Sequence, residues 1–286
     1  MLKQRLLYGT LMTAFFTAIV IFDGWMDGSL TASAADKPVQ ATLLCILVSA
    51  LIIPAQLELA KLAAAKKLTI FTPVSIIASI LFAGTWYWTQ LIKIQPLPYL
   101  CFISAFSLFG LLLYQYFRHG ISDVMSNCGA SYFSIIYLGL LIAFILGIRI
   151  DFGLWPILMF VFVVKSADIG AYAIGTLFGR HKFSPNISPS KTWEGMAGAV
   201  AAAVIVALLF AAGFDIMKWW SAVIFGFCLA FTGQLGDLAE SMLKRDAEQK
   251  DSSQNVPGFG GILDIIDSPL FAAPFAYLFF MFVIAG

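Results

Sequence analysis

The chain has 286 residues, of which 60% are hydrophobic and only 12% are charged. Soluble globular domains carry about 25% charged residues, so this composition excludes an ordinary soluble domain. The formal net charge of +1 gives no electrostatic basis for nucleic-acid binding, and we expect no nucleic-acid partner.

Apolar runs of 17 to 23 residues recur along the whole chain, and runs of this length are typical of helices that cross a lipid bilayer. They predict an all-α polytopic integral membrane protein with about nine transmembrane helices. The predicted spans are Leu6–Phe22, Ala41–Leu59, Thr72–Trp88, Leu97–Phe117, Gly129–Ile148, Phe152–Ile174, Met196–Phe214, Trp219–Gly236 and Pro269–Ala285.

The first run follows Lys3 and Arg5 and precedes Ala32-Ser33-Ala34, an order that also occurs in cleavable signal peptides. The run is long for a signal peptide, and a polar stretch with two aspartates separates it from the small residues. We therefore expect a retained first span. Cleavage would leave the topology of the remaining spans unchanged.

Positive charge is unevenly distributed between the two sides that these spans define. With a cytoplasmic N-terminus, 12 of the 17 lysines and arginines lie in the cytoplasm, four lie on the opposite side and Lys165 lies within a span. This excess follows the positive-inside rule and predicts that orientation.

Charge also changes along the chain. The first five spans contain almost no charged residues, so we predict that residues 1–151 form a scaffold and a lipid-facing wall. Residues 152–286 are predicted to be the catalytic transmembrane half, because they carry two polar cytoplasmic loops, 179–195 and 237–267.

The sixth span contains ionisable residues, which are costly inside a membrane and therefore indicate function. Lys165, Asp168 and Tyr172 recur at helical spacing and share one face with Gly175 and Gly179. Two interpretations are open. Lys165 and Asp168 could neutralise each other as an intrahelical pair, or Asp168 could open into a polar cavity near the cytoplasm.

The loop from Gly179 to Gly195 combines positive charge with hydroxyl groups just before a new helix. Free backbone amides and the helix dipole favour an anion at that place, so the loop could bind a polyphosphate. A loop that merely follows the positive-inside rule, with a Ser/Thr helix cap, explains the composition equally well. The residues concerned are Arg180, His181, Lys182, Ser188, Ser190, Lys191 and Thr192.

The segment from Gly236 to Ser268 holds seven of the 16 acidic residues of the chain. Its first part places five polar side chains on one face of a helix, if the eighth span continues into the cytoplasm. Such a face can also be a solvated helix end held by charge pairs. The five residues are Asp237, Glu240, Ser241, Lys244 and Arg245.

The second part of this segment brings Asp264 and Asp267 after the turn Pro257–Gly261. Glycines allow the backbone to approach a ligand closely. Carboxylates that converge from separate segments suit Mg²⁺, which binds one or two carboxylates together with substrate phosphates. The combination favours a site for phosphoryl or nucleotidyl transfer over a polar surface that is merely solvated.

These residues resemble the phosphatidate cytidylyltransferase (CDP-diacylglycerol synthase) family. Ser188–Gly195 is similar to a second signature of that family, and Asp168 with Tyr172 and Gly175 is similar to a third. The resemblance extends over about a third of the chain, from Asp168 to Ser268. The first signature reads here as Gly236-Asp237, Ser241-x-x-Lys244-Arg245, Lys250-Asp251, Pro257-Gly258-Phe259-Gly260-Gly261 and Asp264-Ile265-Ile266-Asp267.

Two positions depart from the family pattern. Phe259 stands where the family has histidine, and Ile265 stands where it has arginine. Neither position supplies a carboxylate, but the lost arginine removes a bidentate phosphate donor. A changed lipid preference, a slower enzyme, compensation by Lys250 and an inactive homologue all remain open.

The resemblance implies that CTP and phosphatidate give CDP-diacylglycerol and pyrophosphate at the cytoplasmic side of the inner membrane. It implies Mg²⁺ as cofactor, with room for a second cation, and it suggests a homodimer. It assigns the metal to Asp237 and Asp264, the phosphates to Lys244 and Arg245, and site orientation or a second cation to Asp267. The remaining assigned residues are Ser241 for phosphate or metal-bound water, and Ser188, Lys191, Thr192, Lys250, Gly260 and Gly261 for nucleotide and phosphate binding.

Two rival functions remain at this point. A CTP-dependent lipid kinase would release CDP in place of pyrophosphate. A membrane transporter could use Lys165 and Asp168. Against this, the polar residues cluster at one membrane face, and the sequence shows no pair of broken helices in matching halves.

Overall fold

The computed structural model describes residues 2–30, 39–253 and 260–284, with side chains from residue 9 onward. Within these residues, eight helices are long and apolar enough to cross a membrane, and a bent helix pair would make nine. The prediction of an all-α polytopic membrane protein is therefore confirmed. Pro257, Gly258 and Phe259 lie outside the described residues, as do Ala32, Ser33 and Ala34.

The chain divides into two compact units. The first consists of Met1–Ile150 with Asp246–Ile265, and the second of Asp151–Arg245 with Ile266–Gly286. The division after Ile150 lies next to the predicted boundary at residue 151, but residues 246–265 group with the first unit. The roles predicted for residues 1–151 and 152–286, scaffold and catalytic half, stay predictions.

The first unit is built of helices. Apolar composition explains why they form, since mean hydropathy is high and polar side chains are sparse along each of them. The helices are α1 Leu2–Asp27, α2 Thr42–Ala65, α3 Thr72–Ala83, α4 Thr85–Ile92, α5 Pro96–His119, α6 Val124–Ile135 and α7 Leu141–Gly147. Two π-helical segments, Ile136–Leu140 and Ile148–Phe152, follow α6 and α7, so that residues 124–152 form one apolar span.

The predicted third span, Thr72–Trp88, is bent in the structure. Helices α3 and α4 meet at Gly84 with an angle of 69° between them. Glycine is about 1 kcal/mol less favourable than alanine inside a helix, which weakens the helix at this point. The indole of Trp88 occupies the space that a side chain at Gly84 would need. The sequence pattern revealed the apolar length but not this break.

A buried ion cluster joins the end of α1 to the second π-helical segment. Arg149 is fully buried in the second π-helical segment, and its Nη2 atom lies 2.9 Å from Asp27 Oδ2 and 3.7 Å from Asp23 Oδ2. Both aspartates belong to the last turns of α1. Arg149 is one of the four basic residues predicted to lie on the side opposite the cytoplasm, and its charge is neutralised inside the unit.

The second unit begins with α8 Leu154–Phe178, a two-stranded hairpin, α9 Trp193–Phe214 and α10 Trp219–Asp246. It also contains the main part of α11 Leu263–Val283. Helices α8 and α9 pack closely, because Gly170 and Gly198 face each other without side chains. A Cβ atom on Gly198 would lie 2.5 Å from the Gly170 carbonyl oxygen and 2.6 Å from the Ile174 side chain.

The hairpin was predicted only as a loop. Strand β1 Lys182–Ser184 pairs with β2 Ser188–Thr192 in antiparallel register, Lys182 with Thr192 and Ser184 with Ser188. The two-residue interval from Lys182 to Ser184 in β1 is therefore paired with the four-residue interval from Ser188 to Thr192 in β2. The extra residues of β2 form a bulge that contains Lys191. Bulges of this kind redirect side chains.

Thr192 connects the hairpin to α9. Its hydroxyl oxygen accepts a hydrogen bond from the Gly195 backbone N–H at 3.1 Å, which caps the helix. Glu194 in the first turn accepts from the backbone N–H groups of Arg180 and His181 at 3.1 and 3.2 Å. The cap and the carboxylate together fix the hairpin at the start of α9.

The close packing of α8 on α9 predicts a cost for added volume at Gly198. We expect Gly198→Ala to lower the free energy of unfolding of the detergent-solubilised protein by about 1–3 kcal/mol, since the new methyl group overlaps α8. Gly213→Ala is the matched control, because Gly213 is in the same helix and a Cβ there meets nothing within 4 Å. Equal stability of the two variants would contradict this packing.

Candidate active site

Three carboxylates converge in the second unit. Asp237 and Glu240 lie three residues apart on one face of α10, and Asp267 lies on α11. One oxygen atom from each lies within 4.8 Å of the others. Glu240 and Asp267 are buried, and Asp237 is half-buried. We call Asp237, Glu240 and Asp267 the carboxylate cluster.

Gly236 makes this convergence sterically feasible. A Cβ atom at Gly236 would lie 2.7 Å from both the Asp267 carbonyl oxygen and the Phe271 Cβ atom. A larger residue would push α11 away from α10, and Asp267 with it. The glycine that precedes Asp237 is therefore part of the site.

The donor set of the cluster fits a hard divalent cation. Mg²⁺ and Ca²⁺ bind carboxylate oxygens, and the three side chains offer one such oxygen each within a small radius. Like charges at this separation in a buried place repel strongly, and a cation would offset that repulsion. Glu240 and Asp267 thus join Asp237 as residues that could hold a metal.

Two lysines already lie beside the cluster. Lys191 Nζ, from the bulge of β2, lies 2.7 Å from Asp237 Oδ2 and donates to Gln234 Oε1 at 2.9 Å. Lys244 forms an ion pair with Glu240 one turn along α10. Lys191 and Lys244, both predicted as site residues from the sequence, therefore place positive charge against the carboxylates. Their contacts with a substrate stay predictions.

Asp168 on α8 belongs to the same polar network. Its Oδ2 atom lies 3.5 Å from Lys165 Nζ, so the intrahelical pair forms. Its Oδ1 atom also accepts from Ser268 Oγ at 3.3 Å and from Gln234 Nε2 at 3.5 Å. Asp168 is therefore not confined to its pair with Lys165. It also accepts from Gln234, which in turn accepts from Lys191.

Sequence reasoning left three of these side chains unassigned. Glu240 was placed on the correct face but received no role, although its spacing from Asp237 was a sufficient signal. Gln234 lies near the end of the eighth predicted span, and Ser268 directly follows Asp267. Neither position showed a spacing that would have indicated its contact with Asp168.

Other predicted site residues have local structural contacts. The Ser241 hydroxyl lies 3.4 Å from Asp237 Oδ1, and Arg245 Nε donates to the Ile187 carbonyl oxygen at 3.3 Å. Ser188 begins β2, and Thr192 caps α9. Their predicted contacts to nucleotide and phosphate stay predictions.

Asp264 has its own set of partners in the first unit. Its Oδ2 atom accepts from the Gly261 N–H and the Ser252 hydroxyl, each at 2.7 Å. Gly260 has φ of +104°, and a Cβ there would lie 2.7 Å from Asp264 Oδ2, so both the backbone angle and the space require glycine. Lys250, in the same segment, is exposed. The assignment of a metal to Asp264 stays a prediction.

Comparison with known proteins agrees with this chemistry. The cytidylyltransferase family model matches residues 3–283. A phosphatidate cytidylyltransferase of Haemophilus influenzae is 42% identical over 134 residues, which cover 45% of this chain and 46% of the relative. One of Bacillus subtilis is 44% identical over 146 residues, 50% of this chain and 54% of the relative. The chain thus spans about half the length of the curated relatives that it matches.

The carboxylate cluster predicts that a divalent cation stabilises the folded protein. Binding to the folded state alone at 100 times the Kd adds about 2.7 kcal/mol to the free energy of unfolding. We expect Mg²⁺ to raise the melting temperature of the purified protein, and Glu240→Gln to remove most of this increase, since it removes a charged oxygen ligand.

The matched control is Asp215→Asn, which removes one charge from an exposed residue at the end of α9. The variant should keep the full Mg²⁺-dependent increase in melting temperature. An equal increase in wild type, Glu240→Gln and Asp215→Asn would contradict a cation site at the cluster.

Proposed function

Because the chain belongs to the cytidylyltransferase family, we propose that it transfers the cytidylyl group of CTP to phosphatidate. The products would be CDP-diacylglycerol, a precursor in phospholipid biosynthesis, and pyrophosphate. The observation that carries this proposal is the carboxylate cluster with Lys191 and Lys244 beside it, in helices that are apolar enough to cross a membrane.

The reaction joins two anions, so charge is the main obstacle. A phosphate oxygen of phosphatidate attacks the α-phosphorus of CTP, and the bond between the α-phosphorus and the bridging oxygen to the β-phosphorus breaks. The electron pair of that bond leaves with pyrophosphate. Catalysis of such a transfer depends on positioning and on electrostatic stabilisation of the phosphates, with little covalent chemistry for the protein.

Mg²⁺ would supply charge neutralisation at the phosphate oxygens. The sequence resemblance assigns it to Asp237 and Asp264, and the geometry supports Glu240 and Asp267 as further carboxylates beside Asp237. A carboxylate-rich set of oxygen donors suits this cation better than softer metals.

The lysines have a separate task. We assign the phosphate oxygens of the nucleotide to Lys191 and Lys244, because both ammonium groups lie against the carboxylate cluster. Their ion pairs with Asp237 and Glu240 hold the two long side chains in place before a nucleotide arrives, which reduces the entropy lost on binding. Arg245 and Ser241 follow along the same helix and are proposed to contact the phosphates as well.

The substrates imply where the reaction takes place. Phosphatidate stays in the bilayer because of its acyl chains, whereas CTP is water-soluble, so both can meet only at a membrane surface. The excess of lysine and arginine on one side of the spans supports a multi-pass protein of the inner membrane with this site facing the cytoplasm. A homodimer remains part of the proposal from family resemblance alone.

The proposed role of Asp237 predicts a large loss of activity on substitution. Asp237→Asn removes a charged ligand and the partner of Lys191, so we expect kcat to fall on the order of 100-fold or more. Pyrophosphate release by the variant in vesicles that contain phosphatidate, with CTP and Mg²⁺ added, measures this.

Asp215→Asn again serves as the control and should release pyrophosphate at the wild-type rate, because Asp215 is exposed at the end of α9. Near-normal turnover of Asp237→Asn, inserted and folded like the wild type, would refute the role of this carboxylate.

A further inference from the structure

Glu58 on α2 is a buried carboxylate whose partners all lie about 200 positions later in the chain. It is 1% exposed. Its oxygens accept hydrogen bonds from Ser253 Oγ at 2.7 Å, Leu263 N at 2.9 Å, and Ile262 N and Ser252 Oγ at 3.1 Å each. All of these donors belong to residues 252–263, which are part of the first unit together with α2.

The four donors come from both flanks of one short stretch. Ser252 and Ser253 precede residues 254–261, and Ile262 and Leu263 follow them. One side chain therefore holds the two ends of this stretch against α2. From the sequence, Glu58 lies in a charged stretch, Leu57–Ile70, which is predicted to be a cytoplasmic helix end at the membrane interface, and it received no role.

A carboxylate suits this arrangement of donors. Two of the donors are backbone N–H groups at the start of α11, which lack partners within the helix. A carboxylate can accept from all four donors, and its negative charge is favourable at a helix N-terminus. These bonds offset the cost of burying its charge.

The same contacts reach Asp264. The Ser252 hydroxyl lies 2.7 Å from Asp264 Oδ2 and 3.1 Å from Glu58 Oε2, so the same hydroxyl group contacts both carboxylates. Gly261 donates its N–H to Asp264, and a Cβ on Gly261 would overlap the Glu58 carboxylate. Asp264 thus takes its orientation from residues that Glu58 holds.

A second contact near the end of α2 is weaker and involves Asp246, which precedes this segment. Lys66, just after α2, lies 3.3 Å from Asp246, but the side chains are 40% and 70% exposed. Exposed ion pairs of this kind contribute little. Glu58 is therefore the main polar connection between α2 and the segment among the contacts described above.

We propose that Glu58 is a positioning residue, which sets the orientation of Asp264 and thereby its affinity for a divalent cation. The proposal rests on the proposed function in one respect, because the role of Asp264 as a metal ligand comes from there. The oxygens of Glu58 already accept from the four donors of residues 252–263. It acts through Ser252, Gly261 and the first turn of α11.

Glu58→Gln tests this with nearly unchanged volume. The amide nitrogen that replaces one oxygen cannot accept from Ile262 or Leu263. We expect hydrogen exchange at the backbone amides of Ile262 and Leu263 to become about tenfold faster or more. We also expect the Mg²⁺ concentration at the midpoint of the thermal stabilisation to rise about tenfold, in protein without substrate.

Gln56→Met is the matched control. Gln56 is fully buried two residues earlier in α2, and its amide donates to Ser79 Oγ and the Ser134 carbonyl oxygen, so it does not hold the segment. The variant should lose stability without a change in either the exchange at Ile262 and Leu263 or the Mg²⁺ midpoint. If Glu58→Gln does not fold, Ser253→Ala removes the 2.7 Å donor and should shift both readouts in the same direction by less.

The outcomes separate the claims. Unchanged amide exchange in Glu58→Gln would refute the anchoring, and faster exchange with a wild-type Mg²⁺ midpoint would refute the positioning role. A wild-type protein without CTP-dependent turnover would refute the proposed function. In that case the exchange and midpoint contrasts between Glu58→Gln and Gln56→Met would still decide the role of Glu58.

Discussion

The repulsion among the carboxylates of Asp237, Glu240 and Asp267 is the constraint on which the second unit depends. Their oxygens lie within 4.8 Å of one another in a chain of which 60% is hydrophobic. The bulge of β2 delivers Lys191 to Asp237, and Gly236 allows α11 to approach α10. The close packing of α8 on α9 carries Asp168 and the hairpin to the same place. These local features therefore serve one electrostatic arrangement.

The buried charge of Arg149 is neutralised by ion pairs in the first unit, whereas carboxylates outnumber lysines in the polar network of the second. In the first, Arg149 is neutralised by Asp23 and Asp27, which completes a structural ion cluster. The second unit joins four carboxylates to three lysines in its polar network, so a net negative charge remains when all are ionised. This excess favours the binding of a cation. The lysines of this network are also suited to bind the phosphate groups of a ligand.

The features that could be predicted from the sequence are those that depend on residues close together in the chain. Apolar length indicated the spans, helical spacing placed Asp237 and Glu240 on one face, and the hydroxyl before α9 proved to be the cap at Thr192. The bend at Gly84 and the bulge of β2 depend on side-chain packing and strand register, which composition does not encode. Glu58 was missed because its partners are 194 to 205 positions away, and no local pattern signals such a contact.

The most direct test of the central claim follows the phosphorus atoms of CTP. The purified protein, in vesicles with phosphatidate and Mg²⁺, would receive CTP labelled at the α-phosphorus in one reaction and at the γ-phosphorus in another. Cytidylyl transfer predicts the α label in the lipid product and the γ label in released pyrophosphate. The γ label in the lipid, with release of CDP, would contradict the account and identify a lipid kinase, and an unlabelled lipid in both reactions would contradict it as well.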